Sequence, residues 1–367
     1  MYYQDKRTVL TLDAGGTNFV FSAIQNNEEI IAPFSLPAHP GNLGKCLDSL
    51  TNGFRKAMKS LDMLPVAISF AFPGPADYEN GIIGDLPNFP AFRGGVALGP
   101  FLEEKFGLPV FINNDGNLFA YGEALAGTLP EINTELKKAG SPKQYKNLLG
   151  VTLGTGFGGG VVINNILLTG DNGCGGDVWC SANKYDNDLI SEEGVSIRAV
   201  KRVYNELSGD NIEFTPKDIY DIAEGKKQGN QQAAVGAFQE LGKVAGFTIA
   251  ESLNIVDGIV VLGGGIAKAH KYILPAMINE MNDTRRMMSG SVFQRLQMQV
   301  YNLENRNEKL NFLQNESKIA KIPGSDRSVI YNKVKKTGVM VSKLGTSKAV
   351  ALGAYNYALN QLDKKNL

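Results

Sequence analysis

The chain has 367 residues, 43% hydrophobic and 20% charged, and its 37 Lys+Arg balance 37 Asp+Glu to a formal net charge of +0. At about 150 residues per domain this length predicts two domains, each long enough to bury a core, and the balanced charge gives no pull toward nucleic acid or a membrane surface. Three cysteines, Cys46, Cys174 and Cys180, make no disulfide framework and suit a reducing cytoplasm, Met1 to Arg7 lacks the apolar core of a signal peptide, and no apolar run approaches the ~18 residues of a membrane span.

Taken in chain order, Thr8 to Asp13 reads as a buried strand and Phe19 to Ile24 as a second, with the tight glycine turn Ala14-Gly15-Gly16-Thr17-Asn18 between them. A third strand is predicted near Ile30 to Leu36. Asn42 to Leu61 has helical spacing, with Leu43, Leu47, Leu50, Phe54 and Met58 on one face. Val66 to Phe70 is a buried strand stopped by Phe72-Pro73-Gly74-Pro75. Val96 to Phe106 is predicted as an amphipathic helix, Val110 to Ile112 as a strand, and a helix follows from about Leu118 to Leu125.

The second half opens in the same way. Strands at Leu148 to Leu153 and Val161 to Ile163 flank Gly154-Thr155-Gly156-Phe157-Gly158-Gly159-Gly160. Helices follow near Val195 to Leu207, Lys217 to Ala223 and Ala233 to Leu253. Then come a strand at Gly258 to Leu262, the turn Gly263-Gly264-Gly265, and a helix from about Ile266. The repeated strand-turn-strand opening suggests a duplicated α/β unit. Leu129 to Lys146 reads as a polar surface excursion and 282–343 as a solvated polar insertion, with strand-like text at Gln297 to Tyr301. Ser347 to Leu362 reads as an apolar helix that packs back on the first half. The predicted domains are thus 1–127 with 345–362, and 128–344.

Glycine, at 42 residues, exceeds its usual ~7% share and clusters at three sites. Glycines let the backbone approach an anion and aim successive N–H groups at it. In the first site, Gly15 and Gly16 are joined by the side-chain donors of Thr17 and Asn18, and Asp13 stands at the strand end, placed to hold a metal ion through water. In the second, Thr155 adds a hydroxyl among Gly154 and Gly156. In the third, Gly263, Gly264 and Gly265 leave bare backbone against which a flat ring can lie. Each alone is equally a hairpin or a strand-to-helix turn, and neither a P-loop nor a dinucleotide fingerprint is satisfied. Asn114-Asp115 follows an apolar strand and opens a helix. Asp115 there is either a helix cap or a carboxylate presented to a cleft at the strand's carboxyl end.

Together these motifs resemble the ROK family of sugar kinases: Asp-x-Gly-Gly-Thr in an opening hairpin, Asn-Asp-x-Asn before a helix, Gly-Thr-Gly-x-Gly-Gly-Gly in a second hairpin, then a late Gly-Gly-Gly. Phe72 to Pro75 and Leu86-Pro87-Asn88-Phe89-Pro90 also resemble segments of that family. The resemblance implies an α/β, two-lobed actin-like ATPase (ribonuclease H-like) fold with a central cleft. It implies ATP-dependent phosphorylation of a hexose, usually at the 6-hydroxyl. Asp115 matches the catalytic base, and Gly74, Asn88, Asn114 and Asp115 match sugar contacts. The Gly15 and Gly154 hairpins would hold ATP phosphates, Gly263 to Gly265 would face adenosine, and Mg2+ would bridge phosphates with Asp13 in its outer shell. A homodimer is also implied.

Where many members carry Glu-x-Gly-His and then a zinc-binding cysteine cluster, this chain reads Gly176-Asp177-Val178-Trp179-Cys180. Asp177 stands for the glutamate and Cys180 for the histidine. Cys174 and Cys180 supply at most two of the four ligands of a structural zinc, so no structural zinc is expected. Glu193, or its neighbour Glu192, is the candidate second sugar-binding carboxylate; the bland alternative is a carboxylate at a helix N-terminus beside Gly194. The sugar is left open between a neutral hexose such as glucose or fructose and an N-acetylated one. The competing class is a sugar-responsive regulator or sensor of the same family. Regulators carry a helix-turn-helix before the kinase-like part, for which a first strand at Thr8 leaves no room.

Overall fold

The computed structural model describes residues 2, 4–74, 76–85, 89–209 and 211–365. It divides into two compact units: residues 1–127, 160–176 and 344–367, and residues 128–159 and 177–343.

The first unit is built on β1 (Val9–Ala14), β2 (Asn18–Gln25), the two-residue β3 (Glu28–Glu29) and β4 (Phe34–Pro37). Helix α1 (Leu43–Lys59) starts where the Asn42 side chain accepts the Lys45 N–H at 3.0 Å, and it buries Cys46, Leu50, Phe54 and Ala57 at helical spacing. Next come β5 (Ala67–Ala71), the short strands β6 (Ala76–Asp77), β7 (Ile82–Ile83) and β8 (Val96–Ala97), α2 (Leu98–Phe106), β9 (Val110–Asn113) and α3 (Asp115–Leu125). The main sheet runs β3-β2-β1-β5-β9, and β4 also pairs with β2. β1 is antiparallel to β2 but parallel to β5, and β5 is parallel to β9. Register sets Asp13 opposite Ala71, and Ala71 opposite Asn113. Three parallel strands therefore end level, the arrangement in which α/β sheets place ligands. Below them Phe19, Phe21, Phe54, Phe70, Phe72, Phe89 and Phe92 form a buried aromatic core. The Phe72 and Phe89 ring centroids are 5.0 Å apart there, which anchors the Pro73-Gly74 turn from beneath.

In the second half, α4 (Thr128–Lys138) precedes β10 (Leu148–Leu153) and β11 (Phe157–Ile163), and the short β12 (Ile166–Leu167) pairs with the end of β11. Helices α5 (Ile197–Ser208), α6 (Pro216–Ala223) and α7 (Gln231–Val256) lead to β13 (Ile259–Gly263) and, after a 3₁₀ turn at Gly265–Ala269, to α8 (His270–Met281). Beyond lie the hairpin β14 (Thr284–Arg286) with β15 (Val292–Gln294), then β16 (Gln299–Asn302), α9 (Arg306–Leu313), the hairpin β17 (Ser317–Lys321) with β18 (Ser328–Asn332), and β19 (Lys336–Val341). β10, β13, β19 and β16 are successive parallel neighbours, and α7 packs on α8 and α5. The last helix, α10 (Thr346–Lys365), belongs to the first unit. It buries Leu352, Tyr355, Ala358 and Leu359 against Val9, Ile24 and Ala67. It crosses α3 so closely that a Cβ on Gly122 or Gly353 would strike backbone oxygen of the other helix. Among the described residues no helix is long and apolar enough to cross a membrane.

Several expectations are corrected. Leu129 to Lys146 is not simply a polar excursion: α4 buries Leu129, Ile132 and Leu136, an i, i+3, i+7 stripe among Asn, Thr, Glu and Lys. The 282–343 segment supplies two strands of the second sheet. β19, with Val339 and Met340 fully inside, lies between β13 and β16, while the β14–β15 and β17–β18 hairpins are exposed. The helix near Val96 begins at Leu98, after the strand β8. The third strand splits into β3 and β4, and α3 begins at Asp115 rather than Leu118.

Candidate functional site

The first unit presents Asn114 and Asp115 at the carboxyl end of β9. Asn114 is extended and its Oδ1 accepts the Gly116 N–H at 2.7 Å, so Asn114, not Asp115, caps α3. Asp115 is the first helical residue, and its Oδ1 also meets the Gly116 N–H, at 2.9 Å. Solvent reaches the Asp115 side chain, yet the protein crowded around it pushes the carboxyl above its ordinary value. The Gly116 N–H pulls it back, and the charge of Asp13 raises it further. Asn113 fixes this corner from inside. Its buried Oδ1 accepts the Asn114 N–H at 2.8 Å and the Asn117 Nδ2 at 3.1 Å, and its side chain is near enough to the Tyr357 phenol of α10 to pull that group down against the rise that burial causes.

Asp13, one residue from the end of β1, lies on the same level and is exposed, as are Gly16, Thr17 and Asn18 in the turn that follows. The turn is closed by the Ala38 N–H donating to the Thr17 carbonyl at 2.9 Å. Gly15 is pinned by the Asn18 carbonyl, 2.8 Å from where its Cβ would stand, whereas a Cβ on Gly16 would meet nothing within 4 Å. Gly74 follows β5, and Tyr78 braces it by donating its hydroxyl to the Phe72 carbonyl at 2.9 Å. Asn88 lies outside the described residues.

The second unit assembles the other glycine sites. Thr152 of β10 pairs with Gly263 of β13, which sets the Gly154–Gly156 turn beside Gly263–Gly265. Gly264 has φ +86° and lies against Leu153 backbone, where no Cβ fits. The turn is closed by the Gly154 N–H donating to the Gly156 carbonyl at 3.0 Å, and the Ile197 N–H of α5 donates to the Gly154 carbonyl at 2.9 Å. Glu192 reaches the same turn: its Oε2 accepts the Phe157 N–H at 3.0 Å. Arg198 donates to Glu192 at 3.2 Å and to Glu193 at 2.9 Å. Asp177 is exposed and opens a 3₁₀ turn over Val178–Cys180. Partial burial raises its carboxyl above the ordinary range while a hydrogen bond to Trp179 lowers it. That turn is tied to the Ser191–Glu193 turn by the Ser191 hydroxyl, which donates to the Val178 carbonyl at 2.9 Å.

The structure therefore gathers Asp13, Gly15 to Asn18, Gly74, Asn114 and Asp115 in one unit. It gathers Gly154 to Gly156, Gly263 to Gly265, Asp177 and Glu193 in the other. Sequence reasoning missed Asn113, Tyr357 and Arg198, and it missed the contact of Glu192 with the hairpin. The Glu192–Phe157 contact joins residues 35 apart and Tyr357 reaches Asn113 from the last helix, so neither shows locally; Arg198 lies only five and six residues from Glu193 and Glu192 but follows no motif, and only the Asn113-Asn114-Asp115 run offered a local signal. Among the described residues no group of three or more His, Cys, Asp or Glu side chains could hold a metal ion.

A glucokinase from Parabacteroides distasonis, known from its crystal structure, is 57% identical to this chain, covers 98% of it and 99% of its own length, and superposes with a TM-score of 0.89. A glucokinase of Halalkalibacterium halodurans is 27% identical, over 73% of this chain and 83% of its own. An N-acetyl-D-glucosamine kinase of Photobacterium profundum is 27% identical, over 70% and 83%. The fold is the α/β actin-like ATPase type. The ROK family model matches residues 9–299, across both units and every glycine site described above, and the chain belongs to the ROK family.

Proposed function

We propose that this chain is an ATP-dependent hexose kinase that transfers the γ-phosphoryl group to the 6-hydroxyl of a neutral hexose, with glucose the first sugar to test. The observation that carries the reading is Asp115. It sits at the carboxyl end of a parallel strand, is relieved of the capping role by Asn114, and holds a carboxyl raised by its surroundings. A carboxylate whose affinity for a proton is raised is a better proton acceptor than a free one. The 57% identity to a glucokinase over nearly the whole chain favours glucose.

In this reading the Asp115 carboxylate accepts a hydrogen bond from the sugar hydroxyl and aims its oxygen along the line to the γ-phosphorus. The O–P bond forms as the bond to the ADP oxygen breaks, and the hydroxyl proton passes to Asp115. Loose phosphoryl transfer leaves most of the catalysis to positioning and charge neutralisation. Asn114 and Gly74 border the sugar, the Gly15–Asn18 and Gly154–Gly156 turns offer N–H and hydroxyl donors to phosphate oxygens, and Gly263–Gly265 faces the adenosine. Mg2+ bound with the nucleotide neutralises phosphate charge. Asp13 fits the role of holding it through water: it is exposed and its charge is felt at Asp115. Asp177 and Glu193 are the candidate sugar contacts of the second unit.

The test is ADP release from Mg-ATP across glucose, fructose, mannose and N-acetylglucosamine. Turnover fastest with a neutral hexose, with phosphate on O6 of the product, supports the reading. Sugar and nucleotide binding without ADP release from any sugar would identify a sensor instead.

A further inference from the structure

The ROK family match ends at residue 299, and the β17–β18 hairpin lies wholly beyond it. Its two strands pair with each other and, among the described residues, with no other strand. A two-stranded ribbon without a covering layer is marginal in water. Every residue of β18 is exposed. Ile319 and Ile330, directly opposite each other in register, are 72% and 71% exposed.

The two edges of this ribbon differ. β17 reads Ser-Lys-Ile-Ala-Lys and carries Lys318 and Lys321 along its length. Lysine commonly blunts an edge strand against pairing. β18 reads Ser-Val-Ile-Tyr-Asn. It has no charge, and Val329, Ile330 and Tyr331 are residues that favour strands. One edge is protected and the other is open.

Ladder geometry tells which backbone groups the open edge presents. The Ile322 N–H donates to the Arg327 carbonyl at 3.0 Å and closes the turn. Antiparallel pairs alternate between hydrogen-bonded and non-hydrogen-bonded. Counting from that closing bond, Ala320 with Val329 and Lys318 with Tyr331 are the bonded pairs of the ribbon. The N–H and C=O groups of Ser328, Ile330 and Asn332 therefore point away from β17, to the free edge.

We infer that β18 is an interface strand that pairs antiparallel with β18 of a second copy of this chain, about a two-fold axis at Ile330. In that register Ile330 meets Ile330 of the second copy, and Ser328 meets Asn332. These are the positions whose backbone groups are turned outward, so the new ladder uses donors and acceptors that the hairpin leaves free. Opposed residues share a face. Ile319, Ile330 and their symmetry mates then form one apolar row across a sheet shared by both copies. No charge stands within the new strand pair, whereas pairing through β17 would draw the lysines of both copies together. The nearest like charges, Lys333 and Arg327 of the second copy, fall just past the strand end, with Asp326 beside them. The second copy's turn also lies there, toward a groove of about 550 Å3 walled by Val292, Phe293, Leu296 and Val334, so apolar surface continues beyond the strand edge. Such a two-fold contact uses the same patch on both copies. A five-residue edge is a small interface, which places the dissociation constant in the micromolar range.

Proline separates the two edges. Ile330→Pro deletes an outward N–H and leaves the bonded pairs of the ribbon intact, so it should raise the dissociation constant by about tenfold or more. Ile319→Pro makes the same change on the lysine edge and should leave association as it is. Ile330→Lys keeps the backbone, sets two ammonium groups opposite each other across the axis, and should weaken association as Ile330→Pro does. Sedimentation equilibrium of the full chain from about 1 to about 200 µM reads the mass of each protein, and thermal melts check that each is folded. A parent that stays a single copy throughout this range leaves the edge to another kind of chain and overturns the inference. An assembly that Ile330→Pro and Ile330→Lys leave intact, or that Ile319→Pro weakens as much, is built on another surface and overturns it too.

Discussion

The Asn114 side chain accepts the Gly116 N–H at 2.7 Å and so takes the capping bond of α3. Capping is the commonest bland role for an acidic residue at a helix start. The Asp115 Oδ1 meets the same N–H at the longer distance of 2.9 Å, so the cap does not depend on its carboxylate, which the proposed mechanism uses as the acceptor of the sugar proton.

Asp115→Asn should keep the fold, since the amide has nearly the same shape, and should reduce kcat by about 10²–10⁴-fold while sugar binding survives in part. Steady-state kinetics beside sugar titration checks this. Near-parental turnover in a folded Asp115→Asn protein would remove Asp115 from the proposed mechanism.

The same substitution should raise stability at neutral pH. The Asp115 carboxyl titrates above its unfolded value of about 3.9, so the folded state binds this proton more tightly than the unfolded state does. The resulting stabilisation is full below the unfolded value and is lost as pH rises through the folded one. Asp115→Asn should therefore melt above the parent at pH 7 to 8, and the gap should close as the buffer approaches pH 4. A gap that widens on acidification contradicts the direction of the shift.

Gly16 and Gly264 should respond in opposite ways. A Cβ on Gly16 meets nothing within 4 Å, and the residue lacks a positive φ, so Gly16→Ala should leave stability within about 0.5 kcal/mol. Any loss of Mg-ATP affinity there reports the ligand itself. Gly264, at φ +86° against Leu153 backbone, has no such room, and Gly264→Ala should cost about 2 kcal/mol or more. Denaturant melts and nucleotide titrations separate the two. A strongly destabilised Gly16→Ala protein would show that the first turn is needed for folding and not only for ligand.

Sugar preference should move with the Asp177 turn. Asp177 and Cys180 share one 3₁₀ turn, where the Cys180 thiol lies 3.1 Å from the Asp177 carbonyl. Asp177→Glu with Cys180→His should shift relative kcat/KM among hexoses by about tenfold or more, because sites that hydrogen-bond a substrate discriminate strongly. The KM for ATP should change far less. An effect confined to ATP would place this turn away from the sugar.

The amino-acid sequence by itself determined the ingredients: apolar strands interrupted by glycine turns, an Asn-Asp pair at a strand end, the family, and the general run of helices in both halves. These are legible because they are local. Strand burial shows as apolar runs and helix faces as a period of 3.6, and glycine marks where a side chain cannot fit. The α4 stripe of Leu129, Ile132 and Leu136 escaped because polar neighbours dilute a three-residue face. β19 escaped because its buried run follows the basic text Lys333 to Lys336, and only its place between β13 and β16 gives that run a partner. Tertiary structure alone decided that Asp13 and Asn113 end level with Ala71 between them, because sheet register depends on strands far apart in the chain. It also decided that Glu192 serves the hairpin 35 residues before it. Two adjacent glutamates carry the same chemistry in sequence, and they become different residues only when one carboxylate meets a backbone N–H and the other pairs with Arg198 at the surface.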